Sequence, residues 1–559
     1  MGSPATGRDP STARAPTAVD AVAERYLQTF AALDPCAATE FGITGHDDDI
    51  TDYSPDGVAA RAAAAGSALR ELDGVTPVDD VDTVTVAAMR ERLGVLIELH
   101  EAGLDVGELN VIASPLQTMR DVFDLMACES DDDWALISRR LSRLPDRVAG
   151  YSDALRQAIS AGNAPAARQV TRGVEQAGRI QQLFVDMVSS AASATPLLHN
   201  ELQAHAVAAA DAYRRLADVL RDDIAPHARR EDPFGRDAYR LFSRAFLGSK
   251  IDLDETYGWG LAQLDSIVAE QESIAERLYP GASVSETSHR LDGEQRYRIE
   301  GTDALRSWMQ NLSDHAMESL ADTHFDIAAP LRRLECRIAP TQTGGIYYTG
   351  PSEDLTRPGQ MWWSVPPGVT TFHTWRETTT VFHEGVPGHH LQIGRAVVLA
   401  GELNRWRRLA CWVSGHGEGW ALYAERLMAE LGYLDDPAAR MGMLDAQRFR
   451  AARVVIDIGV HCGLTAPDGG VWDAERAWAF LRTHCAESEE TLRFELDRYL
   501  GWPGQAPSYA VGQRIWQQLR DEMLARGLSL KEFHSRALDL GGLGLDVLCS
   551  ALLGASAIG

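Results

Sequence analysis

Cysteine is scarce, long apolar runs are missing, and positive charge is outnumbered. The seven cysteines (Cys36, Cys128, Cys336, Cys411, Cys462, Cys485 and Cys549) are scattered through 559 residues without one CxxC pair. An odd, sparse set of this kind argues against a disulfide-built scaffold and fits reduced thiols, which predicts a cytoplasmic protein. No stretch approaches the roughly 20 apolar residues that a membrane-spanning helix needs, so no membrane partner is expected. Residues 1–16, MGSPATGRDPSTARAP, also lack an apolar core and read as a disordered tail, not a signal peptide. Acidic residues number 80 against 53 basic ones, a net charge of −27. The basic footprint of a nucleic-acid binder is therefore missing, and the acidity reads as solubility. With no repeat of fixed period and no low-complexity linker, residues 17–559 read as a single domain.

What is present is mostly helical. In AVDAVAERYLQTFAALDP, Val19, Val22, Tyr26, Phe30 and Leu33 mark one helix face, and Pro35 ends it. DWALISRRLSRLPDRVAGYSDALRQAISAG repeats apolar positions three and four apart until Gly162. The pattern holds almost throughout from Ala18 to about Leu247. Further on, HFDIAAPLRRLECRIAP, GGIYYTG and GQMWWSVP are short β-branched or aromatic runs broken by Gly and Pro, the mark of strands in one small sheet. Helical periodicity returns at about Trp375. The expected fold is mainly α, with a helical half over 17–320, then a small sheet and the site-bearing helices over 321–559. GQMWWSVP is expected to be the edge strand that pairs with an extended peptide, with Tyr347, Tyr348 and Arg357 lining subsites.

The stretch Val381–Gln392, VFHEGVPGHHLQ, lacks the one residue that would make it a plain zinc-protease helix. In H-E-x-x-H, two histidines one turn apart hold zinc and the Glu between them serves as general base. His383 and Glu384 are in place, but Pro387 stands where the second histidine belongs. On an unbroken helix His389 would lie about 240° around the axis from His383, and His390 about 10 Å further along it. Pro387 has no N–H to give the His383 carbonyl and crowds it, while Gly388 tolerates the angles needed to loop out and rejoin. A two-residue bulge would bring His389 to the second-ligand position, with His390 as the alternative.

A third ligand is offered by SGHGEGWALYAERLMAELG, where Glu418 begins a helix between Gly417 and Gly419 and Glu425 follows two turns on. The small neighbours let Glu418 approach another helix closely. Helix-dipole compensation explains Glu418 alone, but not its pairing with the HE segment. Arg453, Asp457 and His461 recur at intervals of four and share one helix face. They read either as an ion-pair ladder or as a catalytic set. In the second reading His461 stabilises the transition state, Asp457 fixes its tautomer, and Arg453 binds a substrate carboxylate or neutralises Asp457.

FHEGVPGHHLQ, GEGWALYAE, RVVIDIGVH and WPGQAPSYAVGQ together resemble the bacterial domain-of-unknown-function 885 family. Its pattern runs HExxPGHH, EGWAxYxE, R-x-x-x-D-x-x-x-H and PGQAxxYxxGQ. ATEFGITGHDDDITDYSPDG and GGIYYTGPSEDLTRPG look similar too, so the resemblance extends from about residue 18 to the C-terminus. That family is in turn similar to the gluzincin metallopeptidases, including angiotensin-converting enzyme and the carboxypeptidase Taq type. The resemblance implies a long helical body split by a deep cleft, one zinc ion per chain on His383, His389 and Glu418, and Glu384 as base. PSYAVG resembles the carboxypeptidase Taq segment that places a tyrosine by the substrate carbonyl. Tyr509 is then the oxyanion donor, and Gln513 closes the motif. The expected function is zinc-dependent hydrolysis of peptide or amide bonds in short peptides, by a carboxypeptidase, dipeptidase or oligopeptidase acting as a monomer or homodimer. Two alternatives stay open: an amidase acting on a small non-peptide metabolite, and a non-catalytic helical binding protein.

Overall fold

Capping chemistry starts the long helices where the sequence provides it. Ser130 accepts from the Asp133 N–H while Asp133 answers on the Ser130 backbone, which opens the 30-residue helix Asp131–Ser160. Thr17 and Asp20 do the same for Ala18–Leu33, and Pro35 becomes the first residue of the next helix, Pro35–Glu40. The computed structural model describes residues 13–191, 195–340 and 345–554. Residues 1–12 of the expected tail lie outside them. Arg14, inside that tail, is pinned: it pairs with Asp20 and Asp79, each at 2.6 Å, and also with Asp82.

The architecture is mainly α, as expected. Helices Asp131–Ser160, Ala167–Ser190 and Pro196–Val219 enclose one apolar core around Tyr151, Phe184 and Tyr213. A second and larger core joins the first helices of the chain to residues beyond 239. Asn404 donates to Asp20 at 3.0 Å and Arg405 pairs with Glu24 at 3.0 Å, so the packing does not divide at residue 320. The helix Pro437–Cys462 runs through this body buried along nearly its whole length and stops at left-handed Gly463, φ +63°. No described helix is long and apolar enough to cross a membrane.

All three expected strands form, but in two respects the sheet differs from expectation. Strands β1 (Arg298–Glu300) and β5 (Thr371–His373) make a separate antiparallel ribbon. The three-stranded sheet has the order β2 (Leu334–Ile338), β4 (Gly359–Trp363), β3 (Ile346–Thr349), with β4 parallel to β2 and antiparallel to β3. GQMWWSVP is therefore the central strand and offers no free edge to a peptide. Its nearly unbroken burial, with Gln360 and Met361 enclosed on opposite faces, is what a strand covered on both faces requires.

Candidate metal centre

The helix Thr374–Glu384 ends at Glu384, and a new helix, His389–Val398, begins after four intervening residues that include a cis Val386–Pro387 bond. Across the break Gly388 N–H donates to the Phe382 carbonyl at 3.1 Å and His390 N–H to the Gly385 carbonyl at 3.2 Å. These reach back six and five residues in place of four, so the two extra residues are absorbed between two helices and not as a bulge within one. Glycine is required at 388 because a Cβ there would sit 1.8 Å from the His383 carbonyl oxygen. Trp420, from the neighbouring helix Ser414–Glu430, holds the turn: its indole N–H donates to the carbonyls of Pro387 (2.9 Å) and Gly388 (3.2 Å). Sequence reasoning passed over Trp420, although a buried indole N–H always needs such a partner.

The turn brings His383 and His389 onto one carboxylate. Glu418 Oε2 lies 3.3 Å from His383 Nε2 and 3.6 Å from His389 Nε2, and the three candidate donor atoms all fall within 4.8 Å of one another. Behind them Glu425 Oε1 accepts from His383 Nδ1 at 2.8 Å, and Thr379 donates to the other Glu425 oxygen at 2.8 Å. This holds a proton on His383 Nδ1 and aims Nε2 at Glu418. The small residues beside Glu418 serve the close approach expected of them. A Cβ on Gly419 would come 2.5 Å from the Gly512 backbone of the helix Ser508–Ala525, and one on Gly417 would strike Trp412 at 2.3 Å.

The electrostatics suit a cation. Burial opposes charge on His383, yet Glu418 and Glu425 on its two nitrogens outweigh it and raise its pKa to about 10. Burial likewise pushes Glu418 up, but the two imidazoles pull it well below the carboxylate range. Atoms that attract a proton this strongly offer a divalent ion the same anionic surroundings. Glu384, almost fully enclosed beside the cluster, is held above its ordinary value chiefly by burial.

His390 stands apart from this cluster. Its Nε2–H donates to the Leu331 carbonyl at 2.7 Å and its Nδ1 accepts from the Tyr348 hydroxyl at 3.0 Å, so neither nitrogen is left for a metal. Burial lowers its pKa to about 4 and keeps it neutral. Tyr348 is thus a support for His390. Tyr347 is exposed and stacked on Trp362, and Arg357 holds a surface turn through the Gly350 carbonyl at 2.8 Å. Gln513 is buried where its helix crosses Gly419.

Tyr509 is half-buried near Glu418, with the Arg453 guanidinium 5.1 Å from its ring centroid. Burial first, then the charge of Glu418, raise its pKa, so it remains an O–H donor at neutral pH. The set Arg453, Asp457 and His461 is corrected on all three counts. His461 spends Nε2 on the Tyr499 carbonyl (2.9 Å) and Nδ1 on the Phe234 N–H (3.4 Å), so it has no nitrogen to offer an oxyanion. Asp457 accepts from Gly504 N–H at 2.9 Å and makes no hydrogen bond to His461. Arg453 bonds the Tyr499 hydroxyl (2.9 Å) and Glu495 (3.1 Å), which pairs its charge without Asp457. Shared helix spacing placed these residues on one face, but the partners came from elsewhere in the chain: the helix Glu489–Gly501, Gly504 and Phe234.

Asp457 nevertheless has a measurable consequence. Burial raises its carboxyl to about pKa 7, against the Gly504 N–H and the Tyr239 hydroxyl, which draw it down. A folded pKa above the unfolded value of about 3.9 means that the folded state favours the proton. The stability this lends is complete below about pH 4 and is lost as pH rises toward 7. Asp457→Asn, which keeps the acceptor for Gly504, should therefore stabilise the protein at pH 8 by about 2–4 kcal/mol and do much less at pH 5. Urea unfolding at the two pH values measures this, and equal effects at both would contradict it.

The family described as "Bacterial protein of unknown function (DUF885)" matches residues 35–552. The chain belongs to it. Two solved structures share the fold of this DUF885 chain. A "putative lipoprotein" from Colwellia psychrerythraea has a TM-score of 0.82 at 23% identity, covering 96% of this chain and 99% of that one. A "putative lipoprotein of unknown function" from Shewanella oneidensis has a TM-score of 0.73 at 15% identity, covering 96% and 100%. No curated protein matches. At these identities the likeness establishes the fold alone. The lipoprotein description of both neighbours overturns the cytoplasmic expectation. That expectation leaned on thiols such as Cys36 and Cys411, which are buried as small apolar side chains and so say little about a redox compartment.

Proposed function

We propose that the protein is a zinc-dependent hydrolase of peptide or amide bonds in short substrates. The observation that carries this is the convergence of His383 Nε2, His389 Nε2 and a Glu418 oxygen within 4.8 Å, with Glu425 fixing the first imidazole. Two imidazoles and a carboxylate are the donor set of catalytic zinc sites that keep one position open. Zinc, when bound, supplies Lewis acidity that polarises a carbonyl and lowers the pKa of water from about 15.7 toward 7.

The chain's own residues do the rest. Glu384 takes a proton from the attacking water and delivers it to the leaving nitrogen as the C–N bond breaks and the new C–O bond forms. Its raised pKa, due mainly to burial, suits a group that must both accept and return a proton. The Tyr509 hydroxyl donates to the carbonyl oxygen as negative charge develops there. In Glu384→Gln, metal content should stay at about one per chain while hydrolysis of a short-peptide mixture falls about 100- to 10,000-fold. Metal analysis and amine release, measured on one preparation, check both. Intact hydrolysis in the variant would remove Glu384 from the mechanism, and metal-free wild-type protein would remove the reading altogether.

A further inference from the structure

Arg453 was the expected anchor for a substrate carboxylate, and it is already paired with Glu495 and hydrogen-bonded to Tyr499. One turn earlier on the same helix, Arg450 is not. Its Nη1 donates to the Ala446 carbonyl at 3.1 Å, and its Nε is buried without a partner. Among the described residues no carboxylate comes within 4.0 Å of it. Acids outnumber bases 80 to 53 in this chain, and the neighbouring Arg448, Arg453 and Arg498 each bond a side-chain oxygen. A half-buried guanidinium left with spare donors is costly unless something else meets them.

Its position says what that something is. Its helix, Pro437–Cys462, packs along the helix that ends at Glu384, with Gly442 against the Trp375 carbonyl. It also packs against the helix of Tyr509, whose ring lies 5.1 Å from Arg453 one turn on, and the charge of Arg450 acts on both Glu384 and Tyr509. Glu487 also feels its charge without pairing with it. An anion that reached this spot would lie next to the bond being cut. A guanidinium with free N–H groups matches a carboxylate in a planar, two-bond geometry.

We propose that Arg450 receives the free carboxylate of the leaving amino acid, so that the substrates are peptides or N-acyl amino acids cleaved at their C-terminal residue. This rests on the amide-hydrolase reading and narrows it from any short amide to one ending in a carboxylate. The strongly acidic chain repels anionic ligands in general, so a local cation is what admits this one.

The test uses a blocked dipeptide as its free acid and as its C-terminal amide. With full-length metal-loaded protein, kcat/KM for the acid should exceed that for the amide by at least about 100-fold. Arg450→Gln should bring the ratio close to one, chiefly through KM for the acid, and Arg450→Lys should restore part of it as a point charge. A second arm measures calorimetric binding of both ligands to Glu384→Gln and to the Glu384→Gln/Arg450→Gln double variant. It needs no turnover, so the carboxylate preference is read even if neither ligand is hydrolysed. Arg450-dependent binding without hydrolysis would sink the hydrolase reading and leave the anchor. Equal handling of acid and amide by protein with intact Arg450, or a ratio unchanged in Arg450→Gln, would overturn the anchor.

Discussion

Glu418→Gln is expected to leave the chain folded and to strip its metal, from about one ion per chain to under a tenth, with hydrolysis lost in step. The substitution keeps the volume of the side chain and the crossing at Gly419 and Gly512, so the helices can stay in place. What it removes is, among the described residues, the only negative charge that touches both imidazoles. A buried dication facing two neutral histidines and an amide has no counter-charge in direct contact, and desolvation then dominates. His390→Gln supplies the contrast. It breaks bonds to Tyr348 and the Leu331 carbonyl, which costs about 1–3 kcal/mol of stability, but should retain the metal. Metal analysis with urea unfolding on both variants decides the matter. Metal lost in His390→Gln and kept in Glu418→Gln would mean that the ligand set is wrong.

The contrast between His389 and His390 also shows where sequence reasoning stops. Helices were legible because their apolar spacing is a local property, and so were the strands bounded by Gly and Pro. The order of strands was not, because nothing in GQMWWSVP says whether one neighbour or two will pair with it. For the site, HE followed by a GEGW helix was enough to name His383, Glu384 and Glu418. Choosing between adjacent histidines depended on Tyr348 and a carbonyl at Leu331, 42 and 59 residues away in sequence. The same limit explains Arg453 and His461. Their spacing is local, but Glu495, Tyr499 and Phe234 are what decide their work. Arg450 was invisible for the converse reason, since only the folded chain reveals that a charge lacks a partner.

Gly388→Ala is expected to have the largest effect of any single methyl group near the site. The new Cβ would lie 1.8 Å from the His383 carbonyl oxygen and 2.5 Å from that of Phe382, and both obstacles are backbone. Neither can swing aside as a side chain would, so the turn itself must open. Opening it moves His389 away from Glu418 and separates the Trp420 indole from the Pro387 and Gly388 carbonyls. The loss should be at least about 3 kcal/mol, in the range reserved for overpacking of a fixed backbone, together with most of the metal. Gly394→Ala tests whether backbone is the cause. Its Cβ would meet Leu331 Cδ2 at 2.7 Å, the end of a flexible side chain from the turn Ala329–Arg332, which packs on the helix His389–Val398. That variant should lose about 1 kcal/mol and keep its metal, because Leu331 can change rotamer while its carbonyl still holds His390. Thermal unfolding and metal content of the two alanine variants measure the difference. If they behave alike, His389 is not positioned by the close packing of Gly388 on the end of the preceding helix.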